Sequence, residues 1–131
     1  MLNITAVILL LAAPMPFWRE RGPRELRPSD LVGIWDVKWG AIPCTMVFEG
    51  DGYYRCWWCG NTVYTGSWKL WQGKRLWIVE SNRPDIPGSW HSYAIHLRRE
   101  ADGRFAGPVM EGARGVEFRM LKRLPRRPDA R

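Results

Sequence analysis

With 131 residues, 46% hydrophobic and 25% charged, the chain suits a single domain large enough to bury a core. Its net charge of +7 sits at the ends, because residues 30–118 balance ten Lys/Arg against ten Asp/Glu. That neutrality argues against a nucleic-acid partner, whose binding domains carry basic residues interleaved with aromatics on the folded face. Nine Trp imply a thick aromatic interior, an aromatic binding surface, or both.

From the N-terminus, Ile4 to Ala13 is an apolar run followed by Pro14-Met15-Pro16. It is shorter than the roughly 20 residues of a membrane span and has the length of a signal-peptide core. No Lys or Arg precedes it, Pro14 would obstruct cleavage directly after Ala13, and no Cys follows to carry a lipid. Residues 1–18 therefore read as a signal-like segment, and the expected location is extracytoplasmic, periplasmic or secreted. An uncleaved anchor or a loosely packed apolar terminus is the alternative. Residues 19–30, dense in Arg and Glu with Pro23 and Pro28, read as a linker.

Residues 31–124 parse into eight short strands by turn chemistry and alternation. Strand one runs from Val32 to Trp39, with Gly33, Trp35, Val37 and Trp39 on one face. Strand two is Cys44 to Phe48, and Glu49-Gly50-Asp51-Gly52 turns it into strand three, Tyr53 to Trp58, because its glycines tolerate positive φ. Strand four, Val63 to Trp71, puts Tyr64, Gly66, Trp68 and Leu70 on one face; strand five is Arg75 to Glu80. After the longest connection, Ser81 to Gly88, come strand six, Ser89 to Arg98, strand seven, Arg104 to Met110, and strand eight, Gly115 to Leu124. Residues 125–131 are a basic tail, usually solvated, able to rest on an anionic envelope surface. The fold class expected is all-β: an eight-stranded antiparallel up-and-down meander that removes its edges by closing into a barrel. An open sheet or a sandwich is the alternative.

Gly33-Ile34-Trp35 carries a resemblance. A tilted-strand barrel needs a bulky side chain to plug its narrow end, and a neighbouring Gly lets another backbone pass over it. Gly-x-Trp on the first strand resembles the first signature of the lipocalins and related calycin barrels. In that superfamily a basic residue of the last strand covers the Trp. The resemblance thus implies Gly33 and Trp35 as barrel-closing residues, with Arg119, Lys122 and Arg123 as the matching cations; the second signature, a Thr-Asp-Tyr-like turn, is missing. Leu31-Val32-Gly33-Ile34-Trp35, the Glu-x-Asp-Gly hairpins and Thr65-Gly66-Ser67-Trp68-Lys69-Leu70 also resemble small uncharacterised paralogous families of exported planctomycete proteins. That likeness implies a lipocalin-like fold and an exported location, and no functional residues.

Cys44, Cys56 and Cys59 form the one constellation with chemical potential. The tight turn at 49–52 places Cys44 opposite residue 56 or 57, so a cross-strand Cys44–Cys56 disulfide is within reach, and export would permit it. Cys44–Cys59 needs a register slip. Free structural thiols are the next reading. A zinc site lacks a second Cys-x-x-Cys, and His91 and His96 have opposite parity on one strand; a redox pair lacks a helix N-terminus, and a haem site lacks a His after Cys59.

No cofactor, metal or acid/base pair is forced together by spacing, so a non-enzymatic role is expected. In the first of two readings, Tyr54, Trp58, Tyr64, Trp68, Trp90 and Tyr93, with Trp39 at the rim, line a cup for a small apolar or aromatic ligand. In the second, the barrel fills its own interior and serves as a structural or interaction platform at the cell envelope.

Overall fold

The computed structural model describes residues 25–58 and 62–125. The apolar run, the linker as far as residue 24, Cys59 and the tail from residue 126 lie outside them. The described chain forms β1 (Gly33–Trp39), β2 (Ile42–Phe48), β3 (Tyr53–Trp58), β4 (Thr62–Trp71), β5 (Arg75–Ser81), β6 (His91–His96), β7 (Arg98–Arg99), β8 (Phe105–Glu111) and β9 (Glu117–Leu124). Strands β1 to β6 and β7 to β9 pair antiparallel with their sequence neighbours, β9 returns to β1, and β6 reaches β8 through Ala94↔Glu111 and Ile95↔Val109. Because β6 and β7 are halves of one strand interrupted at Leu97, the sheet is a closed eight-stranded antiparallel meander barrel, an architecture compatible with a lipocalin-like one.

Closure needs sharp bending, and two glycines supply it. A Cβ on Gly66 of β4 would fall inside the van der Waals radius of the Val79 carbonyl oxygen on β5, and one on Gly107 of β8 would strike the His96 carbonyl. Only Gly lets neighbouring backbones approach so closely. The second corner lies beside the Leu97 interruption, where the Leu97 N–H leaves the ladder for the Lys74 carbonyl at 2.7 Å.

One end is plugged. Pro28–Leu31 makes a single helical turn, α1; Pro28 suits its first position, and Asp30 accepts the Arg27 N–H at 2.8 Å. Buried Leu31 accepts the Trp35 indole N–H on its carbonyl at 2.9 Å, and Trp35 meets the Phe105 ring edge-on at 5.6 Å. Arg123, opposite Trp35 in the β1–β9 register, holds its guanidinium 4.8 Å from the Trp35 ring centroid and donates to the Asp30 carbonyl. Gly33, at φ +139°, has the Arg123 side chain where a Cβ would point. Arg119 does something else: it pairs in register with Lys38 and Ala106, and it is exposed.

The stretch read as a linker enters the fold at its C-terminal part. Leu26 is buried, and its N–H reaches the Gly73 carbonyl at 3.0 Å. Two leucines among charged residues anchor this segment under the barrel, a signal too sparse to show as a period.

Candidate functional site

The opposite end carries the chemistry. Trp39, Trp58, Tyr64, Tyr93 and Phe118 come from five strands near the turns at 40–41 and 112–116. Trp39 is their hub, with ring centroids 4.8 Å from Tyr93, 5.6 Å from Phe118 and 5.8 Å from Trp58, all edge-on. Trp58 in turn meets Tyr64 at 6.2 Å. Trp39 is buried, whereas Trp58, Tyr64 and Tyr93 are half-buried and form the part of this wall nearest solvent.

Beneath them lies a polar floor. On β5 the alternation buries Leu76, Ile78 and Glu80 and exposes Arg75 and Trp77. Glu80 follows two apolar residues into the interior, where it is 1% exposed, the one buried charged side chain among the described residues. Its register partner on β4 is Gly66, whose partner on β3 is Tyr54. Gly66 therefore puts no side chain between Tyr54 and Glu80 in that row.

Burial pushes the Glu80 carboxyl up to about 7, opposed by the Trp58 indole, which favours the ionised form. That approach falls short of a hydrogen bond by geometry: Trp58 Nε1, Glu80 Oε2 and Tyr54 OH are all buried without a partner among the described residues. The Tyr54 hydroxyl is pushed well up, first by burial and then by Cys56 and Glu80; Tyr93 rises mainly by burial, with Glu80 next.

Beside the floor, loop 82–90 is held by a buried serine. Ser81 Oγ accepts the Arg83 N–H at 2.9 Å and hydrogen-bonds Ser89 Oγ, which faces the Arg83 and Ile86 carbonyls at 2.6 and 2.7 Å. Ser89 has one proton for those carbonyls, so Ser81 donates to Ser89. The loop is thereby fixed at the mouth.

The residues expected to line a cup divide three ways. Trp58, Tyr64 and Tyr93 gather with Trp39 at the open end, and Tyr54 lies in the floor. Trp68 belongs to the other half of the barrel: it packs edge-on against Phe48 at 5.4 Å, and its indole N–H is satisfied by the Glu49 carbonyl at 2.8 Å. Trp90 is 40% exposed at the end of loop 82–90. Glu80 is the residue that sequence reasoning missed. The signal was the parity of Leu76-Trp77-Ile78-Val79-Glu80, which puts the carboxyl on the leucine face.

The expected Cys44–Cys56 disulfide is not formed; both are buried free thiols. The reason is register: Cys44 lies opposite Trp58 and Cys56 opposite Met46, so the cysteines are diagonal neighbours rather than a directly facing pair. The two thiols lie near each other, and that proximity, together with burial, pushes the Cys56 thiol far up.

Three surface depressions of about 360, 480 and 610 Å³ lie around the plugged end. None is lined by the open-end aromatics. Among the described residues no three His, Cys, Asp or Glu side chains converge as a metal site would require. Compared with protein-family models, with curated proteins and with solved structures, the chain matches none, so the barrel assignment rests on its strand pairing.

Proposed function

We propose that this protein is a non-enzymatic binding module that takes a small aromatic molecule into the open end of its barrel. The observation that supports this is the trio of buried, unpartnered polar atoms, Tyr54 OH, Trp58 Nε1 and Glu80 Oε2, under a wall of aromatic rings. Buried polar groups are nearly always satisfied, and each left bare costs about 1–3 kcal/mol. A guest with a flat apolar body and one polar end would satisfy the atoms and add ring contacts. It would pass between Trp58, Tyr64 and Tyr93, with one of these half-buried rings rotating aside.

Calorimetric titration with 2-phenylethanol tests the reading. Saturable binding at one site, weakened at least fivefold in Trp58→Ala, is expected. No heat of binding, or equal binding to Trp58→Ala, contradicts it.

A second reading, a filled barrel acting as a platform, draws on the outer face of β4 and β5. There Trp71 and Trp77, 46% and 44% exposed, meet edge-on at 6.1 Å with the Arg75 guanidinium 5.9 Å from Trp71. Such a patch suits contact with another macromolecule, with the basic ends meeting an anionic envelope surface. For location we propose export, supported by the apolar run at 4–13. N-terminal sequencing of protein recovered from outside its host cell tests that; recovery from the cytoplasm alone contradicts it.

A further inference from the structure

We infer that the guest is a cation: a primary or quaternary ammonium on a small aromatic or alkyl body, its charge held between the Glu80 carboxylate and the open-end rings. The inference rests on the binding reading above and deepens it. Glu80 is 1% exposed and is the one buried charge among the described residues. Among the described residues no Lys or Arg accompanies it into the interior, and one of its oxygens has no partner. A buried carboxylate without a counter-ion is expensive, so a site that keeps one is electrostatically incomplete until a cation arrives.

The surroundings fit an ammonium and not an anion. Electron-rich faces of Trp and Tyr attract cations, and Trp58 and Tyr93, which both act on or feel Glu80, belong to a cluster of four such rings with Trp39 and Tyr64. A carboxylate guest would meet Glu80 as a like charge. A neutral guest would leave the carboxylate unpaired.

The groups that titrate around Glu80 are few. Tyr54 and Cys56 on β3 and Tyr93 on β6 feel its charge; Tyr64 on β4 acts on Tyr93, and Cys44 on β2 acts on Tyr54 and Cys56. His91, its register partner on β6, is exposed. Burial already holds the empty carboxyl near neutrality, so a cation must drive off its proton to bind. With that value near 7, affinity for an ammonium falls about tenfold from pH 8 to pH 6.

Three near-isosteres, 2-phenylethylamine, 2-phenylethanol and 3-phenylpropionate, titrated calorimetrically at pH 6 and pH 8, decide the matter. The expected result is at least tenfold tighter binding of the amine than of the alcohol at pH 8, no binding of the propionate, and the tenfold loss at pH 6 for the amine alone. Glu80→Gln is expected to abolish both the amine's advantage over the alcohol and its pH dependence, and His91→Gln to keep the pH profile. Binding of all three within threefold overturns the cation and leaves the cup standing. Binding of none overturns both. Transfer of the pH dependence to His91 overturns the role of Glu80. The wild-type series gives its answer even if Glu80→Gln fails to fold.

Discussion

Glu80 shows how one residue is set by its strand and then sets the chemistry of the interior. In the unfolded chain its carboxyl returns toward 4.5, whereas in the barrel it lies near 7. The folded state therefore holds its proton where the unfolded state releases it. Stability is full below about pH 4.5, falls as pH rises toward 7, and levels off above, a total loss of about 3 kcal/mol. Urea unfolding at pH 5, 6, 7 and 8 is expected to show that decline in the wild type and its absence in Glu80→Gln; a flat wild-type profile contradicts the burial of an unpartnered carboxyl. The cysteines give a second expectation at this scale. Cys44 and Cys56 are buried, and Cys56 is held as the thiol, so an alkylating reagent modifies neither in the native protein and both in urea. Rapid native labelling of either by mass spectrometry contradicts the placement. Of these residues, the open-end aromatics were legible in the sequence because Trp and Tyr on alternating positions announce an inward face. Glu80 was not, since a charged residue at a strand end reads as solvated unless parity is weighed above polarity. The cysteine pairing failed by a slip of two residues within a correctly placed hairpin, because turn chemistry bounds register without fixing it.

At the scale of elements, the barrel depends on corners more than on strand propensity. Gly66 and Gly107 sit where a neighbouring carbonyl occupies the space of a side chain, so Gly66→Ala must displace β5. The expected cost is about 3 kcal/mol or more, at the upper end of overpacked sites, whereas Gly50→Ala, with open space around its Cβ, stays within about 0.5 kcal/mol. Equal urea midpoints for the two variants contradict the corner assignment. The plugged end supplies a gentler case. Arg123→Ala removes an exposed cation from the Trp35 face and a donor from the Asp30 carbonyl, for an expected loss of about 1 kcal/mol; Lys122→Ala is expected to be neutral. The strands themselves were legible, because Gly-rich turns and period-two alternation mark their ends. The interruption of the sixth strand at Leu97 and the docking of residues 25–31 were not. Both are decided by tertiary contacts, Leu97 with the Lys74 carbonyl and Leu26 with the Gly73 carbonyl, that no local pattern encodes.

For the whole molecule, the division of labour between ends follows from closure. One end is sealed by α1, Trp35 and Arg123, with the Trp35 indole and the Arg123 guanidinium hydrogen-bonded to backbone carbonyls of Leu31 and Asp30. The other keeps half-buried rings over polar atoms that have no partner among the described residues. Eight strands enclose just enough interior for side chains or one small ligand, so rearrangement of a single ring decides between a filled barrel and a loaded one. Carbon-13 resonance of the Glu80 carboxyl, followed against pH with and without 2-phenylethylamine, reports that decision at the atom concerned. The expected titration lies near pH 7 in the free protein and moves down when the amine is present. A carboxyl that titrates near 4.5 in the free protein, or one that the amine does not move, would show that the barrel's interior is not waiting for a guest.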